Sequence, residues 1–341
     1  MYYFDSDYMV GAHPEVMRRL VETNRLHTIG YGKDEFCAKA RRRILDECGV
    51  AEGEVWFLEG GTQTNMLVIT RLLDYNEGVI ATDTAHINVH EAGAIEAAGH
   101  KVIALPNHNG LLDPEEVDRY LEDYNADDTR EHIVRPGMVY TTYPSELGTI
   151  YPRATLERLG AVCRKWNIPL YIDGARLAYG LAARGSELTL RDIASLCDIF
   201  YIGGTKCGAL SGEAVVATRP GLLPRFFSLC KQRGAVLAKG RLLGIQFETL
   251  FTDNLYLRIG RHAVDIAMRL REGMERKGYP VYFDSPSNQQ FFLLPNKKIE
   301  ELRRNFSFEL WGPLQPEKTP VRFVTDFSTT PEAIDALIEA L

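Results

Sequence analysis

The segment from Leu170 to Leu210, LYIDGARLAYGLAARGSELTLRDIASLCDIFYIGGTKCGAL, constrains the fold more than any other. It holds two short apolar runs, Leu170-Tyr171-Ile172 and Ile199-Phe200-Tyr201-Ile202, on either side of a stretch with helical character. Uninterrupted apolar runs joined through a helix read as parallel strands covered on both faces. The first run ends in Asp173-Gly174 with Arg176 close behind, and the second in Gly203-Gly204-Thr205-Lys206. Ligands of open parallel sheets bind just beyond the carboxyl ends of the strands. This unit therefore presents an acid, a guanidinium, a hydroxyl and an amine at one edge of the sheet.

A lysine delivered by two glycines into such a crevice is partly desolvated, which frees its lone pair for imine formation with a carbonyl. An acid on a neighbouring strand end is the usual partner of the pyridine nitrogen of pyridoxal phosphate. A solvated loop lysine and a helix-capping aspartate are the bland alternative. The Asp-x-x-Arg one βαβ unit upstream of the lysine favours pyridoxal phosphate on Lys206.

The rest of the chain extends the same architecture. Val55–Leu58, Val79–Ala81, Lys101–Leu105 and Met138–Thr142 are expected strands. Helices are expected over 13–24, 35–48, 66–73, 114–124 and 153–166, with Asp113 capping the fourth, and His90 and Glu91 are placed in a helix after Ala85. Repeated strand–helix alternation predicts an α/β fold with a mostly parallel sheet covered by helices. The basic stretch 222–240 is read as helical, and a helix over 254–277 is long enough to bridge two domains. Beyond Gly278, short strands around Val281–Phe283, Phe291–Leu294 and Val321–Val324 predict a smaller C-terminal α+β domain, dividing the chain into 1–250 and 251–341. Glu59-Gly60-Gly61-Thr62-Gln63-Thr64-Asn65, between a strand and a helix, makes an anion cup of free N–H groups. It matches neither G-x-G-x-x-G nor the Walker pattern.

With 341 residues and a net charge of −7, the chain is large enough for one big core plus a smaller one, and its acidic balance argues against nucleic acid or an anionic membrane as partner. The six scattered cysteines form no C-x-x-C pair and read as reduced thiols of a cytoplasmic protein. No secretory signal or membrane-spanning run is expected.

The ordered motifs Ser6-Asp7, GGTQTN (60–65), AHINVHEAGA (85–94), IDGARL (172–177), Thr205-Lys206 and VRFVTDF (321–327) resemble the low-specificity threonine aldolases. These belong to the aldolase and β-eliminating lyase group of fold-type I pyridoxal phosphate enzymes, the aspartate aminotransferase fold. The resemblance implies that Lys206 is the Schiff-base lysine and Asp173 the acid at the pyridine nitrogen. It implies that Arg176 is shared between cofactor and substrate carboxylate, that Gly61, Thr62 and Thr205 are phosphate ligands, and that His86 is the imidazole stacked on the ring. Ser6 and Arg322 are implied as substrate-carboxylate contacts. Two positions depart from the family pattern: Glu146 stands where the family has a histidine, and Lys239 where it has a phosphate-reaching arginine.

Each site residue has a plainer alternative. His86 alone would read as a core histidine, Arg322 in an alternating strand as a surface residue, and Glu91 as a solvated one. His86 and His90 share the i,i+4 spacing of zinc ligands, but Ile87 stands where a zincin needs glutamate, so no metal is expected. The expected reaction is retro-aldol cleavage of a β-hydroxy-α-amino acid to glycine and an aldehyde, in a homodimer or homotetramer with shared sites. Elimination or transamination by the same cofactor, and a non-catalytic binding module, are the alternatives; Glu146 serves either as base for cleavage or as acid for elimination.

Overall fold

The structure, a computed structural model, describes residues 1–341. The strands in chain order are β1 (Tyr2–Tyr3), β2 (Glu54–Leu58), β3 (Glu77–Thr82), β4 (Lys101–Leu105), β5 (Arg135–Thr142), β6 (Leu170–Asp173), β7 (Ile199–Gly203) and β8 (Glu213–Ala217), followed by β9 (Val281–Phe283), β10 (Gln289–Pro295), β11 (Phe306–Ser307), β12 (Glu309–Leu310) and β13 (Lys318–Val324). The main sheet has seven strands in the order β2-β8-β7-β6-β5-β3-β4. Its neighbours pair in parallel except around β8, which runs antiparallel to both β7 and β2.

Side chains alternate across these strands into two cores. Phe200, Ile202, Ile172, Val139 and Ile80 enter the larger one, and Ile199, Tyr201, Tyr171, Tyr140 and Val79 the other. Both faces are covered, which is why the runs read as continuously apolar rather than alternating. A third core joins Phe4 to Leu270, Phe292, Phe323 and Ile334 around the antiparallel sheet β12-β13-β10-β9. The helix Leu255–Arg276 serves two cores: Ile259, Ala263 and Ala267 enter the first, and Ile266, Leu270 and Met274 the third. β1 pairs in parallel with β11 in a separate two-stranded sheet, and Asp7, four residues on, reaches Arg176 just beyond β6.

Four local expectations are corrected. The helix expected from Met66 begins at Gly61, so Thr62, Gln63, Thr64 and Asn65 lie inside it. Glycine at both Gly60 and Gly61 suggests a loop, but the first turn of a helix has free N–H groups in any case and tolerates such residues. The helix after Ala85 stops at Val89, leaving His90 and Glu91 outside it: the backbone leaves helical geometry at His90 (φ −126°), and Ala92 (φ 52°) and Gly93 (φ 73°) then turn left-handed. Within 222–240 only Phe226–Gln232 is helical, and Gly234 (φ 72°) ends that stretch. Strand β8, Glu213–Ala217, was not expected at all. No helix is long and apolar enough to cross a membrane.

Candidate active site

The turns after β6 and β7 pack backbone against backbone. A Cβ on Gly174 would stand 2.0 Å from the Tyr201 carbonyl oxygen, and one on Gly203 2.2 Å from that of Ala175. Only glycine permits this approach, and it brings Asp173 and Lys206 to one cleft. The cleft, about 270 Å³, is lined by Gly60, Gly61, Thr62, His86, Glu146, Asp173, Arg176, Thr205, Lys206 and Glu213 among others. Eight of the residues singled out in the sequence thus converge there. Ser6, Arg322 and Lys239 do not line it.

The Lys206 amine makes no ion pair. Burial, then the charge of Arg176, holds it below the ordinary lysine value, against the opposing pull of Asp7, Asp173 and Glu213. Asp173 is held from three sides: the Ala175 N–H donates to Oδ1 (2.9 Å), while Asn65 Nδ2 (3.0 Å) and the Tyr140 hydroxyl (2.7 Å) donate to Oδ2. At the neighbouring helix N-terminus, Gly60 offers no side-chain cap and nothing lies within 4 Å of where its Cβ would be. The free N–H groups of Gly61 and Thr62 open there, a site suited to an anion.

The imidazole of His86 sits 2.7 Å, through Nδ1, from Glu91 Oε1. The backbone N–H of His86 donates to Glu146 Oε1 (3.0 Å), and the Thr142 hydroxyl donates to Glu146 Oε2 (3.1 Å). Burial, helped by Asp173, pushes the Glu146 carboxyl up, and the contacts with His86 oppose that only in part.

Three groups are engaged differently from the sequence expectation. Arg176 grips Asp7 with two hydrogen bonds, Nε to Oδ2 (2.7 Å) and Nη2 to Oδ1 (3.0 Å). Burial alone would push Asp7 up, but Arg176 and Lys206 hold it below the usual carboxylate range. The Thr205 hydroxyl donates to Glu213 Oε1 (2.8 Å), and the Gly204 N–H donates to Oε2 (3.1 Å). Burial pushes Glu213 up to about 8. Arg322 donates to Gln289 (2.8 Å) and to Glu309, and stacks 5.1 Å over Trp311. The Ser6 hydroxyl is buried without a partner, and Lys239 is exposed.

Asp7, Asn65, Glu91 and Glu213 join the site without having been assigned a role in it. Asp7 and Asn65 lie inside motifs already singled out, so their neighbours were the available signal. Glu213 sits on the strand that was not expected.

The residues present fit pyridoxal phosphate: an unpaired, partly desolvated amine, a firmly held carboxylate on the next strand and an uncapped helix N-terminus share one cleft. The architecture is also that of known enzymes using this cofactor. An aspartate aminotransferase double mutant from Thermus thermophilus superposes with a TM-score of 0.72 at 15% identity, over 100% of this chain and 90% of that one, a likeness of fold. Fold and site together define a fold-type I pyridoxal phosphate enzyme. More particularly, the beta-eliminating lyase family model matches residues 4–291, and the chain belongs to that family. It is 30% identical over 307 residues to a low specificity L-threonine aldolase of Pseudomonas aeruginosa, covering 88% of this chain and 86% of the relative. A structure of Leishmania major threonine aldolase superposes with a TM-score of 0.96 at 40% identity, over 99% of this chain and 98% of that one.

Proposed function

We propose that this protein is a pyridoxal-phosphate-dependent aldehyde-lyase that cleaves β-hydroxy-α-amino acids of the threonine type into glycine and an aldehyde. The observation that carries the reading is the unpaired amine of Lys206, held below its ordinary pKa at the same strand edge as Asp173. The threonine aldolase names of the relatives support the substrate class. When bound, the cofactor supplies an electron sink for the pair released by the broken bond.

The chain's own residues do the rest. Lys206 holds the cofactor, and Asp173 keeps the ring nitrogen protonated. The N–H groups of Gly61 and Thr62 meet the phosphate, joined by Thr205 if its hydroxyl turns from Glu213, and His86 stacks on the ring. Arg176 keeps Nη1 free for the substrate carboxylate while Asp7 fixes its other edge; Ser6 and Arg322 assist. Glu146 accepts the β-hydroxyl proton. Because burial raises its pKa, its basic form appears at higher pH than for an ordinary carboxylate, so cleavage rises with pH through that titration. The same carboxyl in its neutral form suits elimination, which would fall as pH rises.

This reading takes residues 1–250 as the cofactor-bearing unit and 251–341 as the unit that completes the substrate side. It takes the protein as a cytoplasmic homodimer or homotetramer, and any phosphate contact of Lys239 then depends on that assembly. The test is product analysis with threonine and allo-threonine: glycine and acetaldehyde are expected, and a 2-oxo acid with ammonia instead would assign elimination.

A further inference from the structure

We propose that Asn65 is a positioning residue that locks two of the buried carboxylates of the site, Glu91 and Asp173, and through them sets both the imidazole of His86 and the acid facing the cofactor ring. The inference rests on the pyridoxal phosphate reading above, which gives Asp173 and His86 their tasks.

The geometry is that of a bridge. The Asn65 amide nitrogen donates one hydrogen to Glu91 Oε1 (2.7 Å) and the other to Asp173 Oδ2 (3.0 Å). Its oxygen accepts from the Tyr171 hydroxyl (2.9 Å). A flipped amide would set an oxygen against two carboxylates, so one orientation is enforced. Asn65, Asp173, Tyr140 and Tyr171 are all buried, and the Glu91 side chain has no exposed surface. Glu91 has no arginine or lysine partner. Its Oε1 takes both Asn65 and the Nδ1 of His86, while Oε2 has no partner at all. The two carboxylates thus share one donor nitrogen, and that amide is the direct bridge between them. Because a carboxylate only accepts, the hydrogen on His86 sits on Nδ1, which leaves Nε2 as the free nitrogen.

Asn65 also lies in the helix Gly61–Leu72, whose N-terminal N–H groups form the anion cup. One rigid element therefore sets the phosphate end of the cleft, the acid at the ring and, through Glu91, the stacked imidazole.

The test compares an isosteric variant with a truncation in the pyridoxal-phosphate-loaded enzyme. Asn65→Asp keeps the shape but replaces two donors with an acceptor facing two carboxylates, so it should lower kcat more than Asn65→Ala does. Asn65→Ala should lower kcat by roughly ten- to a hundred-fold, the usual range for residues that orient the groups doing the chemistry, with KM little changed. Its visible absorption band, read without substrate, should move because Asp173 loses one of its three donors. Asn65→Ala and Glu91→Gln should be non-additive, the double variant losing no more than the worse single one. Wild-type kcat and an unmoved band in Asn65→Asp would overturn the proposal, as would fully multiplicative losses in the double variant. Should Asn65→Asp fail to fold, the Asn65→Ala and Glu91→Gln cycle decides alone. A moved band in a protein without aldolase activity would sustain the positioning role while removing the substrate reading.

Discussion

At the strand ends of the main sheet, Lys206 has no ion pair and the N–H groups at Gly61 and Thr62 are free. On the small antiparallel sheet, Arg322 is taken up by Gln289, Glu309 and the face of Trp311. The first region is built open, its polar groups left for a ligand. The second is largely closed on itself, and a substrate carboxylate that meets the two terminal nitrogens of the arginine must displace Glu309. Both have the buried charge typical of functional sites and both keep an unsatisfied group, Arg322 Nε in the second, but there the two terminal guanidinium nitrogens are already engaged by Gln289 and Glu309. An unsatisfied buried group costs stability, so it persists where a ligand completes it.

The sharpest way to break this contrast is to remove the open amine. Lys206→Ala should abolish turnover and the visible band of the loaded protein while leaving it folded, as shown by its thermal transition; a variant that turns over normally would erase the distinction. Next is Glu146→Gln, which should lower β-hydroxy amino acid cleavage by roughly 10²–10⁴-fold, the usual worth of a positioned acid or base. It should retain deuterium exchange into glycine at Cα, a step without a β-hydroxyl. Loss of both activities would indicate a damaged cleft, and loss of neither would remove Glu146 from the chemistry.

The closed region predicts a smaller effect of opposite signs. Arg322→Lys keeps the charge but loses the planar fork, so the amino-acid KM should rise by about ten-fold. Glu309→Gln removes the internal competitor, so KM should fall. Unchanged KM in both would place Arg322 outside the substrate's reach.

Last comes a stability effect. Glu213 is pushed from the ordinary 4.5 to about 8 by burial. As pH rises through 4.5, the unfolded chain ionises while the folded one stays neutral, so folded stability falls until about pH 8. The loss is on the order of a few kcal/mol, and Glu213→Gln should avoid it. The variant's Tm should match wild type near pH 4 and exceed it near pH 9. Equal values at both would show that Glu213 ionises freely.

The open region was also the one legible in the sequence. β6 and β7 announce themselves as apolar runs, and the residues that end them, Asp173 and Lys206, are placed by strand direction alone. The motif order supplied His86, Gly61 and Thr62. What the sequence hides are partners set by tertiary proximity: Asp7 meets Arg176 across 169 positions, and Asn65 meets Asp173 across 108. The antiparallel strand β8 follows a glycine-rich turn and opens on a charged residue, so neither its pairing nor the burial of Glu213 at its start has a local signature. Arg322 shows the same limit in reverse. Its strand was expected, but Glu309 and Trp311 close over it from a segment with no legible strand.

The most direct measurement of the central claim is borohydride reduction of the protein loaded with pyridoxal phosphate, followed by peptide mass mapping. One modified peptide is expected, carrying the added pyridoxyl phosphate mass on Lys206. Label on another lysine, with Lys206 unmodified, would contradict it.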